Sequence, residues 1–537
     1  MRPILSRRNR LRTTALCLAA TLALGGCAAS NDESAGTGTT AEDATGPDHS
    51  ALHTASPAAS EGPFLLRING EIAHFDVEKS DVVEPVTLHA GTPVPVEVTV
   101  PGGDATVTVN GAPLEAEGET FTGEFTLERL DAEVTVLLTV EQASGTTTLH
   151  IRTAPEDLPP VVFEGDTYFD TGTFYYANLF PTEATRDYIV KYDNFGQPVF
   201  YRNHDTMVFN NFGPWEGDGA RGSYYFAESP ADDSGFGIRR GRYVVLDEHY
   251  RVIDDDARPR TTATYNPKEG PFAEMHEFQV LGPSHYIFLD YYVAEVDRDG
   301  VRHYVPYIQE LKDGEVVWEW DSWDHELFED ASRAGYVRVP DEESMAEAEV
   351  EGREAAIAAG AFTDAIHTNS VNVCPNDGNI IISNRNQSAV MEIERDTGDI
   401  AWVLGGKHNT WDIGALSEIG QQHDARMLID ASGIHLLTLY DNRTEVAETS
   451  RGLVLQVDED NQRVLGAEEY TAHGQKGDFT GSTRLFGDAQ QYVMVGWGLV
   501  RPQPTLATIF DRYGNVLKDI TTSGVQMDTY RFVPAEF

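Results

Sequence analysis

Cysteine is scarce in this sequence, with three in 537 residues, at positions 17, 27 and 374. Three thiols cannot build a disulfide framework or a cysteine-rich zinc site. Basic residues are scarce too: 39 Lys and Arg stand against 87 Asp and Glu, a net charge of −48. That balance excludes nonspecific nucleic-acid binding, which needs clustered cations along a phosphate backbone. Long apolar runs are missing apart from Ala15 to Leu24, which is too short for an ordinary membrane span. No Gly-x-Ser-x-Gly elbow and no glycine-rich loop between strand and helix is found, so neither an α/β-hydrolase triad nor a nucleotide sulfate donor is implied. What remains is 41% hydrophobic, enough to exclude a disordered chain and to fill more than one core.

The short apolar run has a basic head of Arg2, Arg7, Arg8, Arg10 and Arg12 and ends at Leu24-Gly25-Gly26-Cys27. This resembles a lipobox, and residues 1–26 are expected to be a signal peptide whose removal leaves Cys27 lipidated. Ser6-Arg7-Arg8-Asn9-Arg10-Leu11 also resembles a twin-arginine export signal. The expectation is an exported cell-envelope lipoprotein that touches the membrane only through its N-terminal lipid. Its mature form would keep 34 basic residues against 87 acids, and Cys374 as its one thiol. Residues 27–62 are rich in Ala, Ser, Thr, Gly and acids and read as a tether.

Two bodies made of strands follow. Residues 63–155 contain short β-branched runs such as Val96 to Val100 and Val134 to Val140, separated by Gly102-Gly103 and Asn110-Gly111 turns. They are expected to form a small β-sandwich. Residues 156–537 repeat a unit of apolar strand, acidic turn and second strand. The turn acids are Asp193, Asp247, Asp313, Asp396, Asp458 and Asp511, separated by 54, 66, 83, 62 and 53 residues. Six units of this size predict an all-β, six-bladed β-propeller. The longest gap has an insertion, Asp341 to Ala361, whose Glu- and Ala-rich spacing predicts a helix.

Propellers gather chemistry where the start of each blade reaches the central axis, and several units open on polar residues. His276 precedes Glu277-Phe278, His367 begins His367-Thr368-Asn369-Ser370, His423 lies in Gln422-His423-Asp424-Ala425-Arg426, and Arg385 follows Ile381-Ile382-Ser383-Asn384. Arginine offers a fork of donors to a tetrahedral anion, Asn369 adds neutral donors, and neutral imidazole is a nucleophile. The residues together point to a site for a phosphoryl or sulfuryl group. No His-x-x-x-His spacing includes any of the three histidines, and no metal or cofactor is expected. Asp424 is expected to face inward packing.

The pieces His367-Thr368-Asn369-Ser370 and Ser383-Asn384-Arg385-Asn386-Gln387-Ser388-Ala389-Val390 resemble the signature of bacterial arylsulfate sulfotransferases. Ile400 to Lys407 and Gln422 to Arg426 resemble the same family. The resemblance implies transfer of a sulfuryl group from an aryl sulfate to a phenolic acceptor, both small molecules, through a sulfated histidine. It implies His423 as nucleophile, His367 and His276 as further catalytic histidines, and Asn369 and Arg385 as sulfate-binding residues. Trp402, Trp411, Tyr440 and Trp497 lie near these pieces as candidates to sandwich an aryl ring, with packing between blades as the alternative. The residues leave two other functions open: a noncatalytic propeller that captures sulfated or other anionic ligands, and an aryl sulfate hydrolase.

Overall fold

The computed structural model describes residues 64–537 except 74–80, 85–92, 127–135, 154–157, 166–171, 182–186, 204–207, 229–236, 294–301, 328–335, 339–347, 350–361 and a few single or paired positions. The expected signal peptide, the lipidated Cys27 and the tether lie outside the described residues.

Alternation of apolar and polar residues produces the first body. Pro93–Thr99 buries Val94, Val96 and Val98 on one face, and Val136–Gln142 buries Val136, Leu138 and Val140. Two five-stranded sheets result, and these side chains share one core with Leu66, Ile68, Phe121, Phe125, Leu149 and Ile151. This is the architecture of a β-sandwich.

The second body is a β-propeller. Six antiparallel sheets follow one another along the chain, each built around a four-strand meander. The first holds Phe174–Pro181, Tyr188–Tyr192 and Pro198–Asn203, with Phe532–Ala535 from the far end of the chain pairing alongside Phe174–Pro181. The second runs from Val208–Gly217 to Val252–Ala257, and the third from Phe278–Gly282 to Glu315–Asp321. The fourth comprises Thr368–Val373, Ile380–Asn384, Ala389–Ile393 and Ile400–Gly405. The fifth comprises His423–Ile429, His435–Asp441, Arg451–Asp458 and Arg463–Tyr470. The sixth runs from Ser482–Phe486 to Val516–Thr522, and Val161–Gly165 adds to its outer edge.

The ring is therefore stitched at both ends: the C-terminal strand is innermost in the first sheet, and an N-terminal strand is outermost in the sixth. Each stitch gives an edge strand a partner from a distant part of the chain. The six turn acids of the sequence repeat all fall between the third and fourth strands of their sheets, or at the last residue of the third. The repeat thus marks one structural position six times. Asp511 shows why an acid suits it: its carboxylate accepts backbone N–H groups of Tyr513 and Asn515, closing the turn.

The insertion lies where the long gap places it, between Glu315–Asp321 and Thr368–Val373, but the helix expected over Asp341 to Ala361 is not borne out where it is described. Ala348–Glu349 form a two-residue strand paired with Tyr336–Arg338. The rest of that segment lies outside the described residues. Even the high helix propensity of Glu and Ala is a weak determinant, and backbone pairing with a neighbouring strand overrides it.

Candidate active site

Each inner strand begins near the ring axis, and three consecutive sheets carry a histidine there. His276 lies two residues before Phe278–Gly282, His367 immediately precedes Thr368–Val373, and His423 opens His423–Ile429. All three are buried.

Contacts link every residue singled out from the sequence. The His276 and His367 rings meet edge to face at 4.7 Å. The Arg385 backbone N–H donates to the His367 carbonyl at 3.0 Å, and Arg385 Nη2 donates to the Asp478 carbonyl at 3.3 Å. Two residues along the same loop, the Thr480 N–H donates to His423 Nε2 at 3.2 Å. Asn369 Nδ2 donates to the carbonyl of Gln422, the neighbour of His423, at 2.7 Å. Residues up to 147 positions apart are thus brought together at one end of the inner strands.

The partners of the imidazoles differ. His276 Nδ1 lies 2.8 Å from both carboxylate oxygens of Glu274, and His367 Nδ1 contacts the Asp364 carboxylate. His423 Nδ1 instead meets an amide oxygen, Asn442 Oδ1, at 2.7 Å. The amide is locked the right way round because Asn442 Nδ2 donates to the Gly477 carbonyl at 2.7 Å and the Thr480 carbonyl at 3.1 Å. His423 therefore carries its proton on Nδ1 and its lone pair on Nε2, where the Thr480 N–H points. Burial, reinforced by the positive charge of Arg385, holds the His423 pKa well below the ordinary imidazole value. His367 is also lowered, chiefly by burial, with Asp364 opposing.

Local backbone conformation helps to aim these groups. His367, Gln421, Asp424 and Thr480 all adopt left-handed φ values, between 52° and 61°. For β-branched Thr480 this is an outlier costing on the order of 1–3 kcal/mol. Gly481 follows it at φ 107°, packed so tightly against the Tyr440 ring that a Cβ has no room.

Beneath His423, Asp424 is the hub of a buried ion network. It accepts from Arg426 Nη2 at 2.8 Å and Arg484 Nη2 at 2.7 Å, and Arg531 Nε lies 3.3 Å away. Glu277 shares two of these guanidinium groups, contacting Arg426 and lying 3.2 Å from Arg531 Nη2. The arginines hold the Asp424 carboxyl below its usual range against the opposing effect of burial. Three cations and two anions leave one positive charge under the site of a strongly acidic protein.

Among the described residues the three histidines do not group as ligands for a metal ion. The candidate aryl-binding aromatics pack elsewhere. Trp402 and Trp411 meet each other at 5.0 Å within a hydrophobic core, and Tyr440 and Trp497 are fully buried in another. They follow the packing alternative because their rings alternate into the space between sheets. Two aromatic rings lie beside the site: buried Tyr530, 5.8 Å from the His276 ring, and half-exposed Phe479, with the Arg385 guanidinium 4.7 Å above its face. The sequence reading missed Asn442, Thr480, Phe479, Glu274 and Asp364. The last two had a signal, an acid two or three residues before each histidine; the others are brought in by the ring alone.

No curated protein sequence matches this chain. Among solved structures, the chain is similar to a quinonprotein alcohol dehydrogenase-like protein from Bacteroides thetaiotaomicron, at 11% identity and a TM-score of 0.34, over 84% of this chain and 96% of that one. It is also similar to a β-propeller domain from Myceliophteria thermophila, at 10% identity and a TM-score of 0.32, over 68% of this chain and 87% of that one. Residues 276–496, which begin at His276 and include His367, Asn369, Arg385, His423, Asn442 and Thr480, match the family model of arylsulfotransferase (ASST). The match spans residues 276–496 and supports the arylsulfotransferase family for that part of the chain.

Proposed function

We propose that the protein transfers a sulfuryl group from an aryl sulfate ester to a phenolic acceptor, through a sulfated His423. What carries the reading is the tautomer of His423: Nδ1–H held by Asn442, Nε2 carrying the lone pair, and Arg385 tied to the loop that faces Nε2. In the first half-reaction Nε2 forms a bond to sulfur, the sulfur–oxygen bond to the aryl group breaks, and the phenolate leaves. His367 or His276 supplies the proton that the phenolate takes up. In the second, the same histidine accepts the proton of the incoming phenol, whose oxygen attacks sulfur and expels His423.

The amide and carboxylate partners divide these roles. The Asp364 carboxylate beside Nδ1 opposes the burial that lowers His367, which suits it to passing a proton, an effect worth about 10²–10⁴ in rate. The amide orients His423 and raises its pKa somewhat, but burial and the positive charge of Arg385 outweigh it and keep the imidazole neutral. Arg385, with the remaining amide hydrogen of Asn369, faces the sulfuryl oxygens, and Phe479 offers a half-exposed ring to the aryl group. The same reading includes export and anchoring through a lipidated Cys27, with residues 63–155 as a spacer between anchor and propeller.

Incubation with a chromogenic aryl sulfate is expected to give phenol release that rises with added phenolic acceptor. Donor alone is expected to add one sulfuryl mass to the intact protein, and none to His423→Ala. Release indifferent to the acceptor assigns a hydrolase, and no turnover with no mass change assigns a binding protein; either outcome removes the transfer reading.

A further inference from the structure

A second cluster of reactive side chains lies away from this site. Cys374, in the turn after Thr368–Val373, is fully buried. Asp377 lies in the same turn and is exposed, and Glu392, on Ala389–Ile393, is 95% buried. One ligand atom from each lies within 4.8 Å of the others. Among the described residues this is the one group of three such atoms so close together. Along an extended strand, the five steps from Asn369 to Cys374 span roughly 17 Å, so the cluster sits at the other end of the inner strand from the active site.

Both Asp377 oxygens accept from Asn379, which closes the turn, but this does not account for the placement of Glu392. Its Oε1 is buried with no well-formed hydrogen bond, although Asn379 and Trp402 lie near enough to lower its pKa, and its carboxylate lies within 4.8 Å of the thiol and of Asp377. Glu459, which follows Arg451–Asp458 of the adjacent fifth sheet, also has a buried oxygen, Oε1, with no donor. Its other oxygen lies 2.5 Å from His435 Nδ1. A buried carboxylate oxygen left unpartnered costs on the order of 1–3 kcal/mol or more. Burial pushes the Glu392 carboxyl up to about 7, with Asp377 and Glu459 adding to the rise. Burial likewise pushes the Cys374 thiol up to about 12, again with help from Glu459 and Asp377. The group repels its own negative charge.

We propose that Cys374, Asp377 and Glu392 form a divalent transition-metal site of the zinc class. One thiolate with carboxylate oxygens is a borderline-soft donor set, which suits zinc or cobalt better than calcium or magnesium. Zinc with sulfur at about 2.3 Å and oxygen at about 2.0 Å places its donors roughly 3.5 Å apart, so the side chains draw together by about an ångström on binding. Exposed Asp377 gives the ion its entry. Glu459 is placed to add a ligand from the next sheet, directly or through water, with His435 fixing its orientation. Binding expels the thiol proton and any proton on Glu392, so affinity rises with pH. Tying the turn after Thr368–Val373 to Ala389–Ile393 within the fourth sheet, the ion acts as a structural brace rather than as a reagent.

The test is titration of the full chain with Co²⁺, followed by near-ultraviolet absorbance. One equivalent is expected to give a thiolate-to-cobalt charge-transfer band that Zn²⁺ bleaches and that strengthens from pH 6 to pH 8. The band is expected to vanish in Cys374→Ser, and the affinity to fall at least tenfold in Glu392→Gln, which keeps the shape of the side chain and removes its charge. Zn²⁺ is expected to raise the melting temperature of the wild type and not of Glu392→Gln. Absence of the band in the wild type, or an equal band in Cys374→Ser, overturns the site. If Cys374→Ser does not fold, Glu392→Gln decides, and unchanged cobalt affinity in that variant overturns the site as well. Sulfuryl transfer has no part in these readings, so failure of the proposed reaction leaves them intact.

Discussion

At the residue scale, the site separates three imidazoles by what each touches. His276 and His367 face carboxylates and His423 faces an amide. Asn442 is a positioning residue in this arrangement, and replacing it tests the division. Asn442→Asp puts a carboxylate against His423 Nδ1 and stabilises the protonated form. The wild-type His423 pKa is lowered, so its neutral form persists below the ordinary value near 6.5, and the acid limb of kcat/KM due to it lies below that value. In Asn442→Asp that limb is expected to move up by a unit or more, with activity lost at neutral pH and partly regained at pH 8. A pH–rate profile of the two proteins checks this; a profile of unchanged shape assigns Asn442 to packing alone. Asn442 was not legible from the sequence, because it lies at the end of His435–Asp441 and meets His423 only through strand pairing. The histidines themselves were legible, since each opens an inner strand and sequence order fixes that position.

At the element scale, the strands that begin at the axis bring buried charge with them. Asp424, on His423–Ile429, neutralises Arg426 of its own strand, Arg484 of Ser482–Phe486 and Arg531 before Phe532–Ala535. The sequence suggested only that Asp424 faces inward. It could not give the reason, because two of its three partners are 60 and 107 residues away. Asp424→Asn removes the carboxylate that Arg426, Arg484 and Arg531 share and leaves Glu277 to Arg426 and Arg531. Breaking a buried ion pair costs about 3–5 kcal/mol, and that loss of unfolding free energy is expected here, measured as a lowered urea midpoint. A midpoint within experimental error of the wild type removes the network from the account of stability. The elements also show where pattern fails. Six acidic turns predicted the meanders because an acid can close its own turn with local N–H groups, as Asp247, Asp458 and Asp511 do. The Glu- and Ala-rich insertion misled because nothing local decides between helix and a short paired strand such as Ala348–Glu349.

At the scale of the whole molecule, charge sets a problem that the site must solve. The chain has a net charge of −48, and an aryl sulfate is an anion. Long-range repulsion slows the encounter, while Arg385 and the excess positive charge of the Asp424 network attract only at short range. Screening falls differently on the two. With a Debye length of about 10 Å at 0.1 M salt, surface repulsion is weakened and contacts among buried groups are not. Under donor-limited conditions, kcat/KM for an aryl sulfate is therefore expected to rise as ionic strength increases from 0.01 to 0.2 M. The same parameter for a neutral phenol acceptor, measured at saturating donor, should stay flat. Inert salts of different anions separate screening from competition, since sulfate is expected to compete at Arg385 more strongly than chloride. A donor kcat/KM that falls steeply with chloride would mean that attraction dominates at long range, and that the acidic surface is turned away from the path by which the donor arrives.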